Sequence, residues 1–96
     1  MPAYMIFLRE GPVRDEAEMA EYQRKNRAAP PDPNLTPLVA YGVLEAMEGE
    51  APDGVILLRF PTAADAKAWY ESPAYQDAMQ HRLKAATYRA MIVEGL

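Results

Sequence analysis

The sequence predicts an α+β fold in which helices cover one face of a four-stranded antiparallel sheet. Apolar segments of strand length and segments of helical pattern follow one another in the order βαββαβ. In residues 54–75, a strand, a proline that ends it and a capped helix come in direct succession. The second and third strands are joined by a short connection rich in turn-forming residues, which favours antiparallel pairing. Together these features predict the ferredoxin-like, or split βαβ, arrangement.

The first strand is predicted at Ala3–Arg9, where both alternating sets of side chains are largely apolar. Gly11 and Pro12 then supply turn chemistry. A helix is predicted from residue 14 to about residue 27, because acidic side chains lie near its start and basic side chains near its end. Its apolar stripe is modest but sufficient to cover one face of a sheet.

Residues 28–37 contain four prolines and are predicted to form an extended loop, because proline neither continues a helix nor fits inside a sheet. Residues 38–47 are apolar again and predict the second strand, with Gly42 marking a bulge or a close approach of another backbone. Several residues of this segment also favour a helix, so that alternative stays open. Residues 48–54 form the connection to the third strand.

The third strand is predicted at residues 55–60, and Pro61 ends it because proline lacks the backbone N–H that a ladder needs. Thr62 is the predicted N-cap of the next helix. Asp65 lies at the third helical position, where a carboxylate completes a box-like cap and favours the positive end of the helix. The strand therefore leads directly into a helix.

Ser72 and Pro73 form a second predicted cap, after which a helix restarts in a new direction and runs over residues 73–86. The fourth strand is predicted at residues 87–94. With its elements assigned, the chain is predicted to be one ferredoxin-like domain spanning residues 1–96. One side of the restarted helix carries Tyr75, Ala78, Met79, Arg82 and Ala86.

The composition argues against several classes of partner and site. A formal net charge of -4 and a pI near 4.9 leave no basic surface to neutralise phosphates, so nucleic acid is not an expected partner. The absence of cysteine excludes disulfides, thiolate metal sites and a cysteine nucleophile. We find neither a targeting pattern nor an apolar run of the ~18 residues that a membrane span needs, so a soluble, cytoplasmic protein without a membrane partner is expected.

The strands carry more apolar side chains than one layer of helices can cover. On the first strand, one alternating set is Tyr4, Ile6 and Leu8 and the other is Met5 and Phe7, and the third strand is similarly apolar on both sides. A monomer would expose one of these sets, which is a larger apolar surface than a soluble monomer normally tolerates. The sequence therefore predicts a homodimer formed through the open face of the sheet.

Two stretches of the chain resemble a known bacterial family. Residues 56–76 read ILLRFPTAADAKAWYESPAYQ, and residues 88–95 read YRAMIVEG. The chain resembles the domain-of-unknown-function family 1330 over most of its length, and the most specific part of this resemblance is the series FPT, AWY and SPAYQ. That family belongs to the dimeric α+β barrel superfamily, so the resemblance implies two ferredoxin-like subunits packed sheet to sheet, but no reaction. The proline-rich segment 28–37 departs from the relatives, which have fewer prolines there. What the resemblance implies therefore applies least to the entrance beside this segment.

His81, the only histidine, is the candidate catalytic residue, because imidazole exchanges protons near neutral pH. The predicted helix places Asp77 one turn before it. Histidine on a helix of this composition usually faces solvent, and that is the alternative. A single histidine cannot assemble a metal site alone, and the chain carries no catalytic triad and no glycine-rich phosphate loop, so no metal is expected.

The candidate ligand-binding residues are Tyr22, Trp69, Tyr75 and Arg59. The three aromatic side chains would line a cleft between the helices and the sheet, where tyrosine hydroxyls orient a small organic molecule. The alternative is that they form an ordinary core. Arg59 interrupts an apolar strand, so it is expected to face a ligand or a carboxylate across an interface, unless its charge reaches water at the rim.

Three functions are consistent with these residues. The first is a small-molecule enzyme that works without a cofactor, as several members of the superfamily do, in the cleft between sheet and helices. The second is a module that binds or senses a ligand in the same cleft without proton chemistry. The third is a structural or interaction dimer whose apolar surface is consumed by self-association. No cofactor is expected in any of them.

Overall fold

Four strands form one antiparallel sheet in the computed structural model, which describes residues 1–96. The strands are β1 at Ala3–Arg9, β2 at Thr36–Ala40, β3 at Gly54–Phe60 and β4 at Tyr88–Glu94. The helices are α1 at Glu16–Ala28, α2 at Ala63–Tyr70 and α3 at Pro73–Ala85. The strand order is β2-β3-β1-β4, which places β1 and β3 at the centre. The predicted ferredoxin-like α+β fold is confirmed.

The core lies between the sheet and the single layer of helices. Side chains alternate across β1, so Ala3, Met5 and Phe7 point toward the helices and are buried. The antiparallel register places Phe60 and Leu58 of β3 beside the first two of these residues, on the same face. The molecule is 17 Å thick along its shortest axis, as expected for one helix layer on one sheet.

The other face of the sheet is also apolar, and we call it the open face. At its centre Ile6 of β1 lies between Leu57 of β3 and Met91 of β4. None of these three side chains is fully buried. The predicted second set of apolar side chains therefore faces away from the helices. The apolar positions of the open face are Tyr4, Ile6, Leu8, Val39, Val55, Leu57, Met91 and Val93.

The helix caps form where the sequence predicts them. Thr62 Oγ1 accepts the backbone N–H of Asp65 at 3.1 Å and donates to its carboxylate at 2.9 Å, which fixes the first turn of α2. Ser72 Oγ accepts the backbone N–H of Tyr75 at 3.3 Å, and Pro73 occupies the first turn of α3. Because both caps are local, α2 and α3 begin at defined positions on the core.

The second strand differs from the prediction. It was predicted at residues 38–47, but β2 runs over Thr36–Ala40 and includes Pro37. Proline is tolerated there because β2 is an edge strand with one unpaired side. The bulge predicted at Gly42 occurs instead between Pro37 and Val39.

Tyr41 ends β2 because its backbone adopts the left-handed region, with φ 55°. Its ring packs so closely on Gly54 that a Cβ atom at that glycine would lie 2.6 Å from the ring. Its hydroxyl lies 2.6 Å from that of Tyr88, at the start of β4. These contacts are distant in sequence, which is why the pattern of residues 38–47 did not reveal the end of the strand.

We expect Phe60→Ala to lower the free energy of unfolding by about 3–5 kcal/mol, because this fully buried ring would leave a cavity in the core. Phe60→Leu should cost much less, since it refills most of the volume. Urea denaturation of both variants measures the difference. Equal effects of the two substitutions would contradict the assignment of Phe60 to the centre of the core.

Candidate functional site

A cleft with a volume of about 870 Å³ lies between the helices and the β3 side of the sheet. Small-molecule sites typically occupy roughly 300–1,000 Å³. Its floor is formed by Phe7 of β1 and by Ile56 and Leu58 of β3. The residues that line the rest of it are Tyr22, Asn26, Arg27, Ala29, Pro30, Pro31, Asp32, Leu35, Pro37, Trp69, Ser72, Ala74 and Tyr75.

The aromatic wall of the cleft is positioned by the junction between α2 and α3. Ser72 accepts the backbone N–H of Tyr75 and donates its hydroxyl to the backbone oxygen of Trp69 at 2.7 Å. One side chain therefore caps the start of α3 and binds the end of α2. The rings of Trp69 and Tyr75 lie 4.2 Å apart between centroids, at an interplanar angle of 35°. This close aromatic pair gives the cleft a rigid apolar surface.

A buried pair of hydroxyl groups lies beside this wall. Tyr22 of α1 and Tyr75 of α3 are both buried, and their hydroxyl oxygens are 2.9 Å apart. Burial is the main cause that raises the pKa of Tyr75 far above its usual range, and the neighbouring Tyr22 adds to the effect. Tyr75 therefore stays protonated at physiological pH and acts as a hydrogen-bonding group rather than as a base.

The proline-rich loop forms the outer wall of the cleft. Asp32 organises it, since its carboxylate accepts the backbone N–H of Asn34 at 2.8 Å and its backbone oxygen accepts that of Leu35 at 3.1 Å. Prolines 30, 31 and 37 line the cleft together with Leu35. The resemblance implied an entrance beside this loop, but none of its residues was predicted to line the cleft, because nothing local indicates which element the loop faces.

Arg82 lies behind the floor and the aromatic wall. It is 3% exposed, and its guanidinium lies 5.2 Å from the ring centroid of Phe7 and 5.0 Å from that of Tyr88. Its Nε is buried without a hydrogen-bond partner. The spacing of Arg82 with Tyr75 and Ala78 places it on the buried side of α3, and this is the signal that could have identified it.

His81 lies outside the cleft, on the side of α3 that packs against α1. Its Nδ1 is 2.5 Å from the carboxylate of Glu18, and both side chains are partly exposed. Asp77, one turn before it, pairs instead with Lys25 of α1 at 2.8 Å. These pairs join the two helices, and none of their members lines the cleft. The catalytic role of His81 stays a prediction.

Arg59 is separated from the other candidate residues by the sheet itself. It is exposed on the open face, where it lies between Tyr4 of β1 and Thr36 of β2. Of the candidate ligand-binding residues, Tyr22, Trp69 and Tyr75 therefore share the cleft and Arg59 does not. The sequence could not separate them, because both alternating sets of side chains on the third strand are apolar and either could have faced the helices.

The structure contains no group of three or more His, Asp or Glu side chains close enough to hold a metal ion. None of its helices has the length and apolar character needed to cross a membrane.

Comparison with known proteins identifies a family and a fold. The family model described as a domain of unknown function, DUF1330, matches residues 2–96. No curated protein matches the chain.

Three solved structures illustrate the likeness. A dimeric ferredoxin-like protein of unknown function from Jannaschia sp. CCS1 is similar with a TM-score of 0.72 and 17% identity, over 99% of this chain and 100% of that one. A protein of unknown function from Rhodopseudomonas palustris has a TM-score of 0.67 and 19% identity, over 99% and 82% of the two chains. An ethyl tert-butyl ether D family protein from Bacillus halodurans has a TM-score of 0.66 and 15% identity, over 100% of both. At these identities the likeness shows the fold alone.

We expect the stability of the protein to fall at alkaline pH partly because of Tyr75. In the unfolded chain this hydroxyl ionises near its ordinary pKa of 10.0, whereas burial raises the pKa of the folded form. Above that pH the unfolded state releases a proton that the folded state keeps, so the free energy of unfolding decreases as pH rises. The contribution of one such group is at most about 1.4 kcal/mol per pH unit.

Urea denaturation between about pH 9 and about pH 11 measures this slope. Tyr75→Phe should make it shallower, and the control Trp69→Phe, which removes no titratable group, should not. An unchanged slope in Tyr75→Phe would mean that Tyr75 ionises equally in both states.

Proposed function

The chain belongs to the DUF1330 family, a domain of unknown function, as the resemblance predicted, and we propose from its geometry that it binds a small, mainly apolar organic molecule in the cleft. The observation that carries this proposal is the aromatic lining of the cleft around one buried hydroxyl pair. Apolar walls with a few convergent polar groups are typical of small-molecule sites. In this proposal Trp69 packs on the ligand and the hydroxyls of Tyr22 and Tyr75 orient it.

The lining favours binding over catalysis. The hydroxyl of Tyr75 is held protonated, and the Nδ1 of His81 faces Glu18 outside the cleft. Asp32 is the carboxylate that lines the cleft, and one of its oxygens already accepts the backbone N–H of Asn34. Catalysis is the second candidate function, with Asp32 as the candidate base because it is the carboxylate that lines the cleft.

We further propose that two chains associate through the open face. Its apolar side chains form one continuous surface across the strands, and surfaces of this kind usually mark protein interfaces. The similar protein from Jannaschia is described as dimeric. Arg59 lies on this face and is exposed, so in this arrangement it faces the second subunit rather than the ligand. Sheet-to-sheet packing leaves the cleft free, because the cleft is on the helix side.

Ligand binding can be tested with the intrinsic fluorescence of Trp69, which is the only tryptophan of the chain and lines the cleft. We expect members of a panel of small aromatic and alicyclic molecules to change this fluorescence and to raise the melting temperature, since a ligand of the native state stabilises it. Ala74→Phe should weaken binding by narrowing the cleft. His81→Ala should leave ligand affinity unchanged. A panel in which no compound changes either signal would reject the cleft as a binding site.

The dimer can be tested at Leu57, at the centre of the open face. We expect Leu57→Glu to convert the dimer into a monomer, because a carboxylate buried between two sheets would have no partner. The matched control Ala20→Glu places the same charge on the exposed outer side of α1 and should leave the dimer intact. Sedimentation at micromolar concentration measures both. A wild-type monomer, or a Leu57→Glu dimer, would contradict the proposed interface.

A further inference from the structure

The side chain of Arg82 brings a positive charge into the core without a negative partner. Arginine stays protonated in proteins, and this one is 3% exposed. Its Nε has no hydrogen-bond partner, and none of the four ion pairs of the chain includes it. A buried charge without a counter-charge is strongly unfavourable. A ligand that supplies a negative charge near Arg82 would offset the unfavourable free energy of this buried charge.

The acidic side chains on the facing surfaces of α1 and α3 are committed elsewhere. Glu18 contacts His81, Glu21 pairs with Arg24, and Asp77 pairs with Lys25. The side chains of all three pairs are partly or fully exposed. The chain has a formal net charge of -4, so a positive interior next to the cleft is not a consequence of its overall composition.

Arg9 adds a second guanidinium on the same side of the sheet. Its Nε is also buried without a partner, and it lies over the ring of Tyr41 at 5.5 Å. Tyr41 shares a hydroxyl contact with Tyr88, on whose ring Arg82 packs. The two arginines therefore flank one pair of tyrosines, and neither forms an ion pair.

The Tyr22–Tyr75 hydroxyl pair connects this charge to the cleft. The guanidinium of Arg82 lies 5.2 Å from the ring centroid of Phe7, which lines the cleft, and the ring centroids of Phe7 and Tyr75 are 6.4 Å apart. Two hydroxyl groups that share one hydrogen bond use one of their two O–H donors, so the other can donate to a ligand atom. An acceptor at this point feels the positive charge of Arg82, and a charged acceptor gains more from it than a neutral one.

We propose that the cleft selects organic carboxylates. The carboxylate accepts a hydrogen bond from the Tyr22–Tyr75 pair and is held by the charge of Arg82, while the apolar body of the acid packs against Trp69. A carboxylate fits better than a phosphate, because the site offers few donors within a mainly apolar lining. This inference rests on the proposed ligand-binding function and names the ligand class.

Benzoate and benzamide are suitable probes, because they have nearly the same shape and differ in charge. We expect the wild-type protein to bind benzoate about tenfold or more tightly than benzamide at neutral pH, as for hydrogen bonds that involve a charged group. Arg82→Met should remove this preference. Titrations followed by Trp69 fluorescence and by calorimetry measure both affinities.

A structural role of Arg82 would give a different result. Replacing an unpaired buried charge with an apolar side chain of similar length should leave the melting temperature equal or higher, so the loss of preference would not come from unfolding. Arg82→Lys retains the charge and should retain part of the preference. If Arg82→Met does not fold, the doubly substituted Tyr22→Phe, Tyr75→Phe protein provides the second test, since it removes the donors and should also lose the preference.

Two further arginines serve as comparisons. Arg24→Met changes an exposed residue outside the cleft and should leave both affinities unchanged. Arg27 lines the cleft mouth, so loss of the preference in Arg27→Met but not in Arg82→Met would overturn the proposal. Equal binding of benzoate and benzamide to the wild-type protein would also overturn it but would leave the cleft-binding function standing. Binding of neither probe would overturn it as well, and the neutral panel would then decide the proposed function separately.

Discussion

The apolar character of the central strand β1 on both of its faces is the constraint on which the rest of the molecule depends. This strand is hydrogen-bonded along both edges, to β3 and to β4, so its position is fixed before any side chain is considered. Its helix-side residues form the core, and Phe7 among them also forms the floor of the cleft. Its opposite set is as apolar but has no helix above it. One strand therefore links the proposed binding cleft on one side of the sheet to the proposed subunit interface on the other, and a change that shifts β1 affects both.

The cleft depends on a single junction in the chain. Ser72 lies between α2 and α3. Its hydroxyl donates to the backbone oxygen of Trp69 and accepts the backbone N–H of Tyr75, and these two hydrogen bonds bring Trp69 and Tyr75 together. The polar groups nearby, the hydroxyl pair and the guanidinium of Arg82, are buried, so they are held by packing and need little reorganisation when a ligand arrives. In the proposed function, this arrangement recognises a molecule by shape and charge. It offers no obvious base apart from Asp32, which lies in the outer loop.

Local signals explain which parts of the structure the sequence could predict. The caps at Thr62 and Ser72 and the apolar runs of β1 and β3 depend on neighbours in the chain, and these predictions are confirmed. The end of β2 depends on contacts of Tyr41 with Gly54 and Tyr88, so it could not be predicted. The candidate residues divide in the same way. The aromatic residues share a cleft, as expected from helices packed on a sheet. The position of Arg59 depends on which face of β3 the helices cover, and that of His81 depends on how α1 packs against α3. The helical spacing in the sequence places Arg82 on the same side of α3 as Tyr75 and Ala78. That no acidic side chain pairs with Arg82 can be seen only in the three-dimensional structure.

The contact between the hydroxyls of Tyr41 and Tyr88 joins the two edges of the sheet. Tyr41 follows β2 and Tyr88 begins β4, and these strands lie at opposite edges of the order β2-β3-β1-β4. Edge strands usually fray independently, because each has a free side. Here the opening of either edge at this end breaks a contact that both edges share. This end of the sheet should therefore open as one cooperative unit, with the backbone amides of β2 and β4 exchanging their hydrogens together.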